Sequence, residues 1–377
     1  MAFMCVLALS LWIIILILPW RPWSARENLE ADVSPQQGDF SDITVLIPAR
    51  NEAACIENTL RALSHQGIGL NVILIDDCST DATADIARDM DVNGLTIVSG
   101  QPLPHGWSGK LWALEQGREH VRTPLVLLLD ADIELVPGML HALLDAMREK
   151  QTPFISLMAM PSLAGFWERL LMPAFVYFFK LLYPFALSNS AFPKVAAAAG
   201  GCVLLETRLL AEMGGFHAVK DALIDDCALA GRVKSTGARI WIGLTHSVIS
   251  RRHSSDLADI TNMVARTAFN QLRYSAWLLL LCTSLLITTF WIPWAGLFFP
   301  APEAKGMALA AYAIMLITFI PTLRFYGLSM WWATLMPLAA TLFLAMTWLS
   351  AIRYWRGERS RWKNRSYQAV LKQDHGA

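Results

Sequence analysis

Two kinds of apolar pattern divide the chain. Its ends are long charge-free stretches, and its middle is a series of short apolar runs punctuated by carboxylates. Met1–Trp20 carries no charge and is followed by Arg21 and Arg26. About twenty apolar residues suffice to span a bilayer core as a helix. The segment lacks the basic start and small-residue cleavage site of a signal peptide, so residues 1–20 read as an anchor. Three further apolar runs, Tyr274–Pro302, Gly306–Leu323 and Phe325–Ile352, bring Trp291, Trp294, Trp331, Trp332 and Trp348 near their ends. Aromatics of that kind favour membrane interfaces, so 274–352 is predicted to hold transmembrane segments. Leu163–Leu187 is apolar too, but it contains Glu168, Arg169, Lys180, Pro173 and Pro184. A helix lying in the interface (163–187) and a buried core helix are its two readings.

Between the ends, residues 27–273 alternate strand and helix. Ile43–Ile47, Val72–Ile75, Leu95–Val98 and Leu125–Leu129 are short, continuously apolar runs. Ala53–Gln66 has helical apolar spacing, Ser79-Thr80-Asp81 caps a helix running to about Met90, and Gly109–Val121 is helical. Apolar strands separated by helices predict an α/β fold, a mostly parallel sheet covered on both faces. Ligands of such sheets bind beyond the carboxyl ends of the strands. Three polar clusters fall there: Pro48–Glu52, Asp76-Asp77 and Asp130–Asp132.

Composition narrows the class. Of 377 residues 55% are hydrophobic and only 16% charged, fewer than the usual quarter or so, which disfavours a purely cytosolic protein. Lys+Arg and Asp+Glu balance at 31 each, without the basic excess of a nucleic-acid binder. Arg21 and Arg26 orient residues 27–273 toward the cytoplasm. The tail 353–377, with Arg353, Arg356, Arg359, Arg361, Lys363 and Arg365, asks for the same side. Three spans would place it opposite, so either one run is re-entrant or interfacial, or the tail breaks the rule. Six scattered cysteines, none in CxxC spacing, suit a reducing compartment.

The familiar glycine cradles for phosphate, GxGxxG and GxxxxGK[ST], are missing. Asp130-Ala131-Asp132 can share a divalent cation whose shell phosphate oxygens complete; the alternative is a solvated loop before the next helix. Asp76-Asp77 suits a turn and cap, or hydrogen bonds to a base and ribose. Arg50, Asn51 and Glu52 are surface charges starting a helix, or line the same pocket. Lys110 opposes the dipole at its helix start, which favours a phosphate partner. Ala196–Gly201 permits close backbone approach. Asp225-Asp226 complements a helix start, and Asp226 is a candidate general base.

Taken in order, IPARNE, DDCSTD, GWSGKLWAL, LLLDADIEL, AAAAGGCVLLE, MGGF and IDDCALAGR resemble the family-2 glycosyltransferases of GT-A fold over about Ile43–Arg232. One anchor before the domain and apolar segments after it resemble ceramide glucosyltransferase-like and carotenoid-pathway enzymes. LRFYGLS and RGERSRWKNRSY further resemble the hopene-associated glycosyltransferases of hopanoid-producing bacteria. The resemblance implies that Pro48, Arg50, Asn51, Glu52 and Asp77 hold the uridine end of a nucleotide sugar, with Lys110 near its phosphates. It also implies that Asp130 contacts ribose or metal, Asp132 ligates Mg²⁺ or Mn²⁺, and Asp226 is the base. The family's Glu-Asp pair is Asp225-Asp226 here. Its Gln-x-x-Arg-Trp motif is matched only by Asn270-Gln271-Leu272-Arg273-Tyr274, on the acceptor or diphosphate side; loss of the Trp favours single transfer over polymer synthesis. The expected protein is a multi-pass bacterial inner-membrane enzyme with a cytoplasmic catalytic domain, a nucleotide-sugar donor and a lipid acceptor. A nucleotidyltransferase would want a basic, Gly-rich loop after its first strand. A lipid transporter would want ionisable groups inside its spans, where only Arg324 falls, between two runs.

Overall fold

A computed structural model describes residues 1–32, 38–220, 222, 224–253, 256–362 and 365–368. These fall into two compact units. One comprises Met1–Ser24, Leu163–Phe178 and the described residues from 256 on; the other comprises the described residues of Ala25–Ser162 and Phe179–His253.

The first unit is helical. Helix α1 (Ala2–Ile17) has 16 residues, or ~24 Å of length. Three longer apolar helical segments, Ala276–Gly296, Pro302–Phe325 and Met330–Trp355, have 21, 24 and 26 residues. At 1.5 Å per residue each exceeds a hydrocarbon core of ~30 Å. Ala276–Gly296 comprises α12 (Ala276–Leu286), a π turn and α13 (Ile292–Gly296), with α14 (Pro302–Phe325) next and α15 (Met336–Trp355) last. Small residues let the backbones approach: a Cβ on Gly296 would lie 2.6 Å from that of Ala308 and 3.0 Å from the Cys5 sulfur. Several polar side chains inside the bundle are paired, which an apolar setting favours. Trp12 Nε1 donates to the Thr289 carbonyl (2.7 Å), Tyr177 and Thr318 share a buried hydroxyl bond (3.0 Å), and Trp348 Nε1 donates to Thr283 (3.1 Å). Two short helices, α10 (Leu257–Ala265) and α11 (Ala268–Gln271), lead into the bundle. The basic tail is described only through a hairpin, Glu358–Trp362 with Arg365–Gln368. Lys363 and residues 369–377 lie outside the described residues.

Helix α6 (Phe166–Leu182), within the Leu163–Leu187 stretch, starts in the first unit and ends in the second. Of the charges that argue against a span there, Glu168 and Lys180 are buried and Arg169 is exposed.

The second unit is built on eight strands: β1 (Ile43–Ala49), β2 (Asn71–Asp76), β3 (Leu95–Ser99), β4 (Leu125–Leu129), β5 (Ile133–Leu135), β6 (Phe154–Met160), β7 (Cys202–Glu206) and β8 (Trp241–Ser250). Their order in the sheet is β3-β2-β1-β4-β7-β6-β8-β5. The half β3-β2-β1-β4 is parallel throughout, with α2 (Ile56–Ser64), α3 (Thr83–Asp89) and α4 (Gly109–Arg118) as its crossovers. The second half is mixed. β7 runs antiparallel to both β4 and β6, β8 is parallel to β6, and β5 is antiparallel to β8. Helices α5 (Met139–Glu149), α7 (Phe185–Ser188), α8 (Thr207–Glu212) and α9 (Asp225–Ser235) complete the unit. Two apolar cores form, one containing Val45, Val72, Leu127 and Leu143, the other Leu46, Val126, Leu114 and Val233. Alternate residues of β1 and β4 face opposite cores, which is why these strands are apolar at nearly every position, Thr44 excepted.

The four strands read from the sequence are β1 to β4, each within two residues of its expected ends. The apolar run Cys202–Leu205 is β7, and its reversal carries a consequence for the site. Because β7 is antiparallel, its first residue, Cys202, pairs with Leu129 at the carboxyl end of β4.

Candidate active site

The three polar clusters stand at the carboxyl ends of β1, β2 and β4. In β1 the pairing with β4 ends at Leu46, so Pro48, which has no N–H, lies past the last rung on that side. The loops after β1 and β2 are laced together. Arg50 Nη1 donates to the carbonyls of Asp77 and Cys78, and its guanidinium lies 3.8 Å from the buried Asp77 carboxylate. Asn51 has a left-handed backbone (φ 52°), which Asn tolerates well. Its N–H reaches Ser79, its side-chain oxygen accepts from Thr80, and the Glu52 N–H reaches Thr83. Pro48, Arg50, Asn51, Glu52 and Asp77 are thus one structural neighbourhood.

A second group forms where α4, β4, β7 and α9 converge. Ser108 caps α4 by accepting from Leu111 N–H, and Lys110 follows in its first turn. Lys110 Nζ lies 2.6 Å from Asp130 Oδ1 and 3.9 Å from Asp225 Oδ2, and donates to the Gly200 carbonyl at 3.3 Å. The Gly200 N–H in turn donates to Asp226 Oδ2 (3.0 Å). A Cβ at Gly200 would lie 3.0 Å from Lys110 Nζ and 3.4 Å from Asp226 Cβ, so a larger residue would crowd the lysine. The strand reversal at β7 delivers this glycine to the edge where Asp130 sits, and the Asp130 N–H donates to Gly201 O (3.1 Å).

Lys110, Asp130 and Asp226 are each shifted by this setting. Burial disfavours the Lys110 ammonium, but Asp130 and Asp225 outweigh it and hold the amine above its ordinary value. Burial also pushes the Asp130 carboxyl up, against the opposing pull of Lys110. Burial, then the neighbouring Asp225 charge, pushes Asp226 up to about 6. A carboxyl near neutrality at a polar sheet edge matches the requirement for a general base.

Asp132 faces a different set. Its Oδ2 accepts from Ser250 Oγ (3.0 Å) and lies 3.4 Å from Arg252 Nε. Arg252 Nη2 is 2.9 Å from Glu52 Oε1. Ser250 and Arg252, at the end of β8, were missed from the sequence. Their signal was the β-branched-rich run Trp241–Ser250 followed by Arg251-Arg252-His253, a basic cluster where a strand stops.

Among the described residues no three His, Cys, Asp or Glu side chains gather as a metal cage. The donors still fit a hard divalent ion. Mg²⁺ sites commonly use one or two carboxylates and leave the remaining positions to phosphate oxygens and water. Asp130 and Asp132 supply such a pair. Asn270, Gln271 and Arg273 belong to the helical unit, where Asn270 Nδ2 donates to the Tyr274 hydroxyl (2.8 Å).

Comparison with known proteins bears on this arrangement. Residues 44–214, from β1 to just past α8, match the family described as Glycosyl transferase family 2. This stretch is similar to a family 2 glycosyltransferase domain over somewhat less than half of the chain. Asp225, Asp226 and Arg252 lie beyond the matched span. The chain is 32% identical over 120 residues to the 4,4'-diaponeurosporenoate glycosyltransferase of Staphylococcus haemolyticus, covering 32% of each. It is 38% identical over 92 residues to the corresponding Staphylococcus aureus USA300 protein, covering 24% of each. The chain therefore spans no more than about a third of the length of these curated relatives. The fold resembles that of a mannosyltransferase from Pyrobaculum calidifontis solved with GDP-Man and Mn²⁺. The TM-score is 0.54 at 20% identity, covering 95% of this chain and 99% of that one. The sheet unit thus has the α/β fold anticipated from its strand pattern, in the GT-A form that the motif resemblance implied.

Proposed function

We propose that the protein is an inverting glycosyltransferase that moves a sugar from a nucleotide-sugar donor, UDP-linked, to a hydroxyl of a membrane lipid, a hopanoid or other isoprenoid. The observation that carries this reading is the convergence of Lys110, Asp130 and Asp226 around Gly200 at the carboxyl edge of a family 2 domain. The names of relatives agree in class: one set acts on 4,4'-diaponeurosporenoate, and the fold neighbour was solved with a nucleotide sugar. Three helices long enough to cross a bilayer support a lipid acceptor. The domain organisation we infer is an anchor at 1–20, a cytoplasmic catalytic domain within 27–273, transmembrane segments within 274–352 and a basic tail, in a bacterial plasma membrane.

Pro48, Arg50, Asn51, Glu52 and Asp77 would line the nucleoside pocket, with Lys110 toward the phosphates. Asp130 and Asp132 would hold Mg²⁺ or Mn²⁺, which neutralises charge on the departing diphosphate. Asp226 would take the proton from the acceptor hydroxyl as its oxygen attacks the anomeric carbon, opposite the leaving group. One base and one displacement invert configuration, so an α-linked donor gives a β-glycoside. Incubating membranes that contain the protein with radiolabelled nucleotide sugars tests the reading. Label should enter the organic-extractable lipid, and its failure to do so with UDP- or GDP-sugars would overturn the assignment.

A further inference from the structure

We propose that Arg252 is an exchangeable cation: it neutralises Asp132 and Glu52 in the empty site and passes to the donor's diphosphate when Asp132 engages a divalent ion. The inference rests on the glycosyltransferase reading and adds a residue to it.

Two nearly buried carboxylates meet one cation here. The Asp132 and Glu52 side chains are 10% and 11% exposed, whereas that of Arg252 is 50% exposed. A buried carboxylate without a counter-charge is costly, and the Arg252 guanidinium offsets that cost at both acids. The Arg252 side chain is half in water, and of its two pairings the one to Asp132, at 3.4 Å, is longer than the one to Glu52, at 2.9 Å. Its two pairings join the loop after β1 to the loop after β4, across the mouth of the site.

A divalent ion on Asp132 would stand close to a guanidinium only 3.4 Å from that carboxylate, and the two cations repel. Ion and guanidinium therefore compete for Asp132. The diphosphate that accompanies the ion carries oxygens that a guanidinium fork binds in two-pronged fashion. Displacement from Asp132 thus frees Arg252 beside its new partner. Arg251 offers a contrast, because its side chain pairs with Glu134, on β5.

The test uses the full-length protein in detergent and two binding measurements that bypass turnover. Mn²⁺ affinity without nucleotide is read by spin resonance of the free ion, and UDP affinity at saturating Mn²⁺ by calorimetry, with GDP run alongside. Loss of Arg252 should move the two in opposite directions. Arg252→Gln should bind Mn²⁺ several-fold more tightly and the nucleoside diphosphate about tenfold more weakly. Arg252→Lys should keep Mn²⁺ affinity near that of the parent and still weaken the diphosphate, and it serves if the Gln variant does not fold. Arg251→Gln should change neither. Mn²⁺ binding no tighter in Arg252→Gln, or diphosphate binding unchanged in both variants, overturns the inference alone. A parent protein that binds neither UDP nor GDP overturns the donor reading and this inference with it.

Discussion

Asp226→Asn separates a base from a helix-start acid by the sign of its effect on stability. With its carboxyl pushed from 3.8 up to about 6, Asp226 is roughly two units above its ordinary value. At 1.36 kcal/mol per unit, the ionised form costs the fold up to about 3 kcal/mol, an upper bound because the group keeps some solvent contact. The pH window follows. Between about 4 and 6 the folded chain keeps a proton that the unfolded chain has lost, so stability falls as pH rises through that range. Above 6 the full penalty stands, and below 4 it is absent. Asparagine removes the charge and can still accept from the Gly200 N–H, but it lacks the second acceptor oxygen that meets the Cys227 N–H. That loss is worth about 1 kcal/mol. The variant should therefore melt at or above the parent temperature at pH 8, by up to ~2 kcal/mol of stability, with the gap closing toward pH 5. A carboxylate that merely complemented the helix dipole would instead lose ~0.3–1 kcal/mol on the same substitution. Turnover should fall ~10²–10⁴-fold, and the parent's rate should drop tenfold per pH unit below about 6. Melting curves at pH 5 and 8 together with labelled-lipid assays give both answers. Near-parental turnover in Asp226→Asn would refute the base assignment, and an α-linked product from an α-linked donor would refute direct displacement.

Asp132→Asn should abolish transfer while the melting temperature holds; full activity of that variant, or of the parent in excess EDTA, would remove the metal pair from the reading. Lys234 Nζ donates to the carbonyls of Leu187, Ser188 and Val195 at 3.4, 2.7 and 2.7 Å, so Lys234→Met should cost ~1–3 kcal/mol, read as a drop in the unfolding midpoint in denaturant. Tyr177→Phe deletes one end of the buried bond to Thr318 and should lower stability by ~1 kcal/mol without changing turnover; a drop in turnover at unchanged stability would mean that this hydroxyl serves the reaction.

The parallel half of the sheet was legible because physics imposes a simple pattern on it. A strand buried on both faces reads as an unbroken apolar run, and its carboxyl end reads as the next polar cluster. That logic located Arg50, Asp77 and Asp130 without contact information. The mixed half does not announce itself in this way. Phe154–Met160 is apolar but lies just before the equally apolar stretch that becomes α6, and Ile133–Leu135 is too short to carry a pattern. Direction is also invisible in a strand's composition. Nothing in the run Cys202–Glu206 tells whether it lies parallel or antiparallel to β4.

Direction nevertheless decides which residues can react together. Were β7 parallel to β4, its leading glycines would lie at the amino edge, one strand length of about 17 Å from Asp130. The antiparallel placement brings Gly200 to Lys110 and Asp226, and so couples α9 to the end of β4. The same reasoning explains Arg252. β8 runs parallel to β6 in the mixed half, so its basic terminus arrives at the carboxyl edge like those of β1, β2 and β4. There it meets acids from two loops far away in the chain. Residues from the parallel half supply the acids and the lysine, while the mixed half supplies the glycine, the near-neutral carboxylate and the arginine that pairs with Asp132 and Glu52. A site assembled from both halves has its charge balance set by strand direction, and the sequence records that direction only through the chemistry at strand ends.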